Sequence, residues 1–470
     1  MKRLGRWFRE AYYRVPAPFR GLAVNAYGYV LRGRRFGGRF RELLRWLNET
    51  QHWDPDALAA WQMGQLRRLL REVSAHVPYY RDYFREHRLS ADDFRTPEDL
   101  EALPVLTKDD LRRNYRRLLH ERLRAKRAQR HSTSGTTGQR LDFYRPRVAY
   151  NLLSAMAWRQ YAWAQVPLGS KRATIGGRWF TQRPPYWVVN RAERQLLLSV
   201  HHLDEATVDR YLDRLDDFAP VFVQGHPSGL HFLASRILAR GRGLATRLRA
   251  VCCTGETLEE TERAEIGEAF GAPVFESYGT GEAVVAAQEC EHHSGFHEVS
   301  ELGIMEFDRE ETTGLHYVVG TSLWNDVMPF IRYRIEDLVE LEPAGPCPCG
   351  RGLPLKIKRI VGRSDEVIYA ADGRRVLPVT IRTSIKPHLA AFENYQVRQT
   401  SQEEYSVLLV GDPDRSRQAR IARALQSVLG PSAKLRLVNA DSIANHGGKI
   451  RNVLNLWKQA RPAGDRIGSP

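Results

Sequence analysis

Cysteine is scarce in this chain, with five residues in 470, at positions 252, 253, 290, 347 and 349. So odd and sparse a set argues against a disulfide framework and for a reducing compartment. No apolar run approaches the roughly 18 residues that a transmembrane helix needs. The basic start (Lys2, Arg3, Arg6, Arg9) is not followed by the apolar stretch of a signal peptide. Internal repeats and low-complexity tracts are missing too. What remains is an ordinary globular composition, 42% hydrophobic and 27% charged. The chain is expected in the cytoplasm, and its length suits one large domain plus a smaller one.

Acidic residues are almost absent from the beginning. Up to Arg45 there are twelve basic residues against two acidic ones, a surplus of +10 within a total of +16. Trp7, Phe8, Tyr12, Tyr13, Phe19, Tyr27 and Tyr29 are interleaved with them. Two uses stay open for this arm, taken as residues 1–50. It is either a solvated helical extension packed on the main domain by its aromatics, or an amphipathic arm touching an anionic membrane. A basic patch also fits nucleic acid, but no recognisable nucleic-acid-binding motif accompanies it, and no nucleic-acid partner is expected.

Beyond the arm, Leu66, Leu69, Leu70, Val73 and Val77 recur at helical spacing in a segment ending at Pro78-Tyr79-Tyr80. Thr107 reads as the cap of a helix that follows. From about 140 to 340, short β-branched runs alternate with helical stretches, among them Val221–Val223, Ala250–Cys253, Val274–Glu276 and the helix Leu230–Arg240. That alternation is an α/β signature. Later, a strand (Tyr405–Val410), a helix (Arg415–Leu429) and a strand (Lys434–Val438) form a βαβ-like unit. The expected division is a large domain over 51–363 and a small one over 364–470.

Five strings carry chemistry. In Ser132-Thr133-Ser134-Gly135-Thr136-Thr137-Gly138, glycines let the backbone approach an anion, and hydroxyls and N–H groups donate to it. The string lacks the Gly-Lys-Ser/Thr end of a Walker loop, which counts against a P-loop enzyme. Glu276-Ser277-Tyr278-Gly279-Thr280-Gly281-Glu282 offers an aromatic face for a purine and a hard carboxylate for Mg²⁺. In Phe330–Leu338, Asp337 can accept from a ribose diol. Val361-Gly362-Arg363-Ser364-Asp365-Glu366 and Gly447-Gly448-Lys449 complete the set. A lysine delivered by a glycine-rich turn suits charge developing at a carboxylate–phosphate centre. Each of the last four, taken singly, is as common in ordinary turns.

In this order the strings resemble the adenylate-forming superfamily of acyl-CoA synthetases, adenylation domains and luciferases, over about residues 60 to 455. Pro78-Tyr79-Tyr80-Arg81, Gln224-Gly225-His226-Pro227-Ser228, Met328–Arg334 and Cys347-Pro348-Cys349-Gly350-Arg351 look most like the phenylacetate–CoA ligase branch with its CapK-like members. The resemblance implies an α/β fold, a large N-terminal adenylate-forming domain with a small mobile α+β C-terminal domain. It implies that a small carboxylic acid, ATP and Mg²⁺ form an acyl-adenylate, followed by transfer to coenzyme A. Thr133, Ser134, Gly135, Thr136, Thr137 and Gly138 would hold the phosphates. Gly255 and Glu256 would line the adenine, with Tyr278 and its neighbour Gly279 against it. Thr280 would contact phosphate, Glu282 would bind Mg²⁺, and Asp337 with Arg363 would hold the ribose. Asp365 matches a hinge, and Lys449 the lysine that bridges ATP and the acid.

Three positions depart from the pattern: Gln139 after the phosphate loop, Glu336 before the ribose aspartate, and Ala370-Ala371-Asp372-Gly373 in place of a glycine-rich stretch that helps admit CoA. The acceptor is therefore CoA or another nucleophile, an amine or a sugar hydroxyl. From a different class, an inactive scaffold binding nucleotide or membrane is disfavoured by the joint presence of Glu282, Asp337 and Lys449. Cys290, His297, Cys347 and Cys349 make a closed tetrahedral Zn²⁺ set, and some members of the resembled branch carry a structural zinc at comparable positions. Unligated buried thiols are the alternative, and His292 and His293 are rival ligands in a more polar run. Cys252 and Cys253 are expected in a core strand. Phe143, Tyr144 and His226 are candidates for the acid pocket.

Overall fold

The computed structural model describes residues 17–122, 128–132, 142–176, 184–203, 206–311, 313–342, 345–363, 366–385, 388, 394–411, 414–440, 443 and 451–459. A twelve-stranded mixed sheet dominates the described residues. Towards one edge Gln195–Ser199, Arg172–Gly176, Phe222–Gly225, Ala250–Thr254 and Val274–Gly279 run parallel. Antiparallel pairing begins at Val274–Gly279 and continues through Ala286–Glu289, Phe296–Glu298, Leu355–Arg363, Tyr333–Leu341, His316–Ser322 and Gly303–Arg309.

The parallel strands are apolar on both faces because helices cover both. Successive residues of Ala250–Thr254 show the alternation of side chains along a strand. Val251 and Cys253 pack with Leu212, Leu230 and Ile266 of the helices Val208–Phe218, Pro227–Arg240 and Glu260–Phe270. Ala250 and Cys252 point the other way, onto Leu152, Ala155 and Met156 of the helix Val148–Trp163. Phe40, Leu43 and Leu47 of Phe40–Thr50 join that second layer, so this part of the basic N-terminal segment is core. The aromatics Tyr27 and Tyr29, in contrast, are exposed.

Asp54 caps the helix Pro55–His76 by accepting from the Asp56 N–H at 2.9 Å, and Leu66, Leu69, Leu70 and Val73 are buried as their spacing predicts. A residue before proline is pushed out of helical conformation. Val77 accordingly sits at φ −112°, and Pro78 opens a second helix, Pro78–Glu86. Thr107 caps Lys108–Arg113, with its Oγ1 accepting from the Asp110 N–H at 3.2 Å.

A separate four-stranded sheet follows, ordered Lys434–Ala440, Glu404–Val410, Asn394–Gln399, Val453–Asn455. Glu404–Val410 and Lys434–Ala440 pair in parallel across the helix Arg415–Leu429. Ile421, Leu425 and Leu429 of that helix pack with Val397, Val407 and Leu409 in a core of their own. This unit meets the large sheet through ion pairs, Arg382 with Glu259 at 3.1 Å and Arg375 with Glu310.

Candidate active site

In open α/β sheets ligands sit outside the carboxyl ends of the strands, where strand order turns. A cavity of about 490 Å³ lies there, at the ends of Ala250–Thr254 and Val274–Gly279, where parallel pairing gives way to antiparallel. Gly255, Glu256, Tyr278, Gly279, Thr280, Glu282, Asp337 and Arg363 all line it. These residues come from strings up to about a hundred positions apart, and strand ends bring them together. Asp337 and Arg363 are direct partners in the antiparallel pair Tyr333–Leu341 with Leu355–Arg363, and their charged groups lie 3.9 Å apart. The buried Tyr278 donates its hydroxyl to Asp337 Oδ2 at 2.9 Å, so the aromatic wall and the carboxylate form one unit.

Local backbone shape follows from residue type. Gly255 leaves its strand at φ +83°, a left-handed conformation that glycine adopts at no steric cost. Glu256 then turns back to accept from the Ser228 N–H at 3.0 Å with Oε2, capping the helix Pro227–Arg240. Its buried Oε1 has no hydrogen-bond partner among the described residues, an acceptor at the cavity wall. Thr280 Oγ1 accepts from the Val284 N–H at 3.2 Å, which leaves its proton free to donate. Within the same turn Ala283 holds φ +59°, an uncommon conformation for a residue with a β-carbon. Burial pushes the Glu282 carboxyl above the usual carboxylate range, while the charges of Lys108 and Arg363 pull it back.

Several lining residues carried no expected role from the sequence, although Glu366 closes the string Val361–Glu366. Lys108 enters from the first turn of its helix. His131 lines the wall beside Phe143, with ring centroids 5.5 Å apart, and its Nε2 is 2.7 Å from the Tyr150 hydroxyl. Burial, then the nearby Arg145, pulls this imidazole down to about 4, so it is neutral at physiological pH. The small unit contributes Glu366, Arg382 and Arg451; Arg451 Nε donates to Glu366 Oε1 at 2.8 Å, and Arg382 donates to Oε2 at 3.3 Å. Their one sequence signal is the closeness of Glu366 to Asp365 and of Arg451 to Lys449.

Of the residues proposed for the acid pocket, Phe143 lines the cavity; Tyr144 and His226 are not among its lining residues. His226 Nδ1 is instead 2.9 Å from the Thr254 carbonyl, at the base of the neighbouring helix. Thr133 to Gly138, Gln139, Asp365 and Lys449 lie outside the described residues.

A second cluster stands away from the cavity. Cys290, His297, Cys347 and Cys349 bring their ligand atoms within 4.8 Å of one another. Two thiolates sharing one zinc at about 2.3 Å in tetrahedral geometry would be roughly 3.8 Å apart, and Cys290 Sγ to Cys347 Sγ is 3.7 Å. Cys349 Sγ lies 3.4 Å from His297 Nε2, while His297 Nδ1 is 2.8 Å from the Leu353 carbonyl. A carbonyl on one imidazole nitrogen fixes the tautomer that leaves the other to a metal. Burial pushes the Cys290 thiol up to about 12; at Cys347 burial is outweighed by hydrogen bonds from the Cys349 backbone and Ser294, which hold the thiol below its ordinary value. His292 and His293 are outside this set.

No family model matches the chain. Among solved structures, 2-hydroxyisobutyryl-CoA ligase in its postadenylation state with 2-HIB-AMP aligns with a TM-score of 0.67 at 19% identity, over 87% of this chain and 93% of that one. The same ligase in its thioesterification state, with 2-HIB-AMP and CoA, gives 0.54 at 20% identity, over 87% and 91%. The fold is that of the adenylate-forming ligases. Protein CapK of Staphylococcus aureus is 26% identical over 382 residues, 80% of this chain and 82% of that protein. Phenylacetate-coenzyme A ligase of Thermus thermophilus is 26% identical over 443 residues, 86% of this chain and 97% of that protein. In sequence the chain is similar to phenylacetate-coenzyme A ligases and to Protein CapK, and in fold to the adenylate-forming CoA ligases.

Proposed function

We propose that this protein activates a carboxylic acid with ATP as an acyl-adenylate, then passes the acyl group to the thiol of coenzyme A. The observation that carries the reading is the single cavity shared by Gly255–Glu256, Tyr278–Glu282, Asp337 and Arg363. Asp337, fixed by the Tyr278 hydroxyl, accepts from the ribose diol, and Glu256 Oε1 accepts from a donor on the base. A substrate carboxylate oxygen attacks the α-phosphorus, the bond to pyrophosphate breaks, and pyrophosphate leaves. Thr280 donates to phosphate oxygen, and Lys449 neutralises charge on the attacking carboxylate. Glu282 is the carboxylate for Mg²⁺, which when bound would offset the phosphate charge. In the second half-reaction the acceptor attacks the acyl carbon and AMP leaves. A neutral His131 and the Phe143 ring form one stretch of the cavity wall, and an acid with an apolar body suits them.

A second reading keeps adenylation and changes the acceptor to an amine or a sugar hydroxyl. It is favoured by the stretch Ala370–Gly373, a hairpin turn tied into the small unit through the Ala371 N–H to the Leu429 carbonyl at 2.8 Å. Incubating the protein with ATP, Mg²⁺ and a panel of acids, with hydroxylamine as a trap, should give a hydroxamate for the true acid. Adding CoA in place of hydroxylamine should give a thioester. A hydroxamate without a thioester selects the second reading; neither product from any acid rejects adenylation. The Cys290, His297, Cys347 and Cys349 cluster is proposed as a structural zinc site, supported by its ligand spacing.

A further inference from the structure

The large apolar side chains exposed among the described residues are few: Leu22 at 68%, Tyr27 at 57%, Tyr29 at 62%, Val30 at 50% and Leu168 at 58%. Four of the five belong to one helix, Ala17–Phe36. A surface helix ordinarily buries its apolar stripe and turns polar residues outward. This one does the reverse. Its inward side is largely polar, apart from Phe36 at its end, which packs on Phe40 and Trp158: Asn25 donates to the Val189 carbonyl at 3.1 Å and accepts from the Arg191 N–H at 2.7 Å. Arg32 donates to the Ala192 carbonyl at 2.9 Å, and Arg35 pairs with the buried Glu193 at 3.0 Å. Gly28 is buried between them, where a β-carbon would come within 2.3 Å of Asn190 Oδ1. These contacts fix the helix's rotation, and at 3.6 residues per turn they leave Leu22, Tyr29, Val30 and Tyr27 facing out, with the exposed Arg34 beside them.

We propose that this outward face is a docking surface for an anionic lipid membrane, on which the protein lies as a peripheral enzyme. Charge complementarity selects the occupant. The face belongs to a segment with twelve basic residues against two acidic ones up to Arg45, and polybasic segments are drawn to anionic leaflets. Tyrosines are suited to the headgroup layer, with an apolar ring and a polar tip. No described helix is long and apolar enough to cross a bilayer, so the contact is interfacial. The inference is independent of which acid is activated or which acceptor takes the acyl group.

The test is co-sedimentation of the full chain with vesicles of phosphatidylcholine alone and of phosphatidylcholine mixed with phosphatidylglycerol. The variant Leu22→Gln/Tyr29→Gln/Val30→Gln leaves the charge unchanged and none of its positions lies at the cavity. The wild type should bind the anionic vesicles, lose binding as salt is raised, and bind phosphatidylcholine weakly. Partition of the triple variant should fall by about tenfold or more, because less apolar surface enters the headgroup region. Should the triple variant fail to fold by circular dichroism, Val30→Gln alone carries the test with a loss of roughly two- to threefold. Equal binding of variant and wild type overturns the proposal, because charge alone then makes the contact. So does absence of vesicle binding. A wild-type dimer by light scattering that the variant reduces to monomer, without vesicle binding, assigns the face to a second copy.

Discussion

At Arg263 two buried carboxylates, Glu276 and Glu289, meet one guanidinium, with the exposed Glu260 at 3.6 Å beside them. Glu289 takes most of it, accepting at 2.7 and 3.1 Å, while Glu276 is left at 3.4 Å. Burial first, and the Glu289 charge second, push the Glu276 carboxyl up to about 8. A carboxyl raised above its unfolded value contributes stability that is full below about pH 4.3 and is lost as pH rises towards 8, because the folded state holds the extra proton. Glu276→Gln cannot ionise. Melting curves from pH 5 to pH 8.5 should therefore fall more steeply for the wild type, by an amount on the order of 1–3 kcal/mol. Parallel curves would reject this account of Glu276. At the nucleotide wall, Tyr278→Phe removes the donor that orients Asp337. Hydrogen bonds to charged groups contribute about 1.5–3 kcal/mol, so the variant should raise KM for ATP roughly 10-fold or more with a smaller change in kcat. An unchanged KM would mean that the ribose does not lie against Asp337. That Glu282 and Asp337 belong to one site, as their shared cavity has it, was expected from the short strings that carry them; the roles given to them are proposals. Lys108 and His131 were not expected there, since nothing local distinguishes a helix-start lysine or a histidine before a loop from an ordinary surface residue.

Among elements, strands and helices with unmixed periodicity were readable. Val274–Gly279, Pro227–Arg240 and Arg415–Leu429 lie where the pattern put them, within a few residues. Pro78 was ambiguous, since proline both ends one helix and starts another; only the packing of Tyr80 and Phe84 decides that a second helix follows. The ribbon Ala128–Ser132 with Asp142–Pro146 stands apart from the large sheet, although its residues look like those of any short strand. The Cys290–Cys349 cluster brings the strand Phe296–Glu298 beside the turn at Cys347. Protein purified without added zinc should carry about one equivalent, and Cys347→Ser should lose it together with about 3 kcal/mol, roughly 3–4 °C in Tm for a domain of this size. Equal metal content in both proteins, or none in either, would sink the site.

On the scale of the whole molecule, the small unit presents Arg382, Arg451 and Glu366 to a cavity built mainly by the large sheet. Sequence periodicity could not reveal that meeting, because it depends on how two cores dock. Nor could it reveal which face of Ala17–Phe36 turns outward, which is set by Asn25, Arg32 and Arg35 finding partners on the strand Trp187–Asn190 and the turn Arg191–Glu193 that follows it. Lys449 and Asp365, which lie outside the described residues, are proposed to act in different half-reactions, and substitutions there should separate the two. Lys449→Ala should slow acyl-adenylate formation by about 10²–10³ while leaving transfer from a pre-made acyl-adenylate intact. Asp365→Pro, by stiffening the entry to the small unit, should do the reverse. Equal slowing of both steps in Lys449→Ala would mean that the two units do not alternate.

The measurement closest to the central claim is ATP–pyrophosphate exchange without any acceptor, run with a panel of acids on the wild type and on Glu282→Gln. Formation of an acyl-adenylate predicts exchange that requires both Mg²⁺ and a particular acid and that collapses in Glu282→Gln. Exchange that proceeds without acid, or none with any acid while the protein still binds ATP, would contradict it.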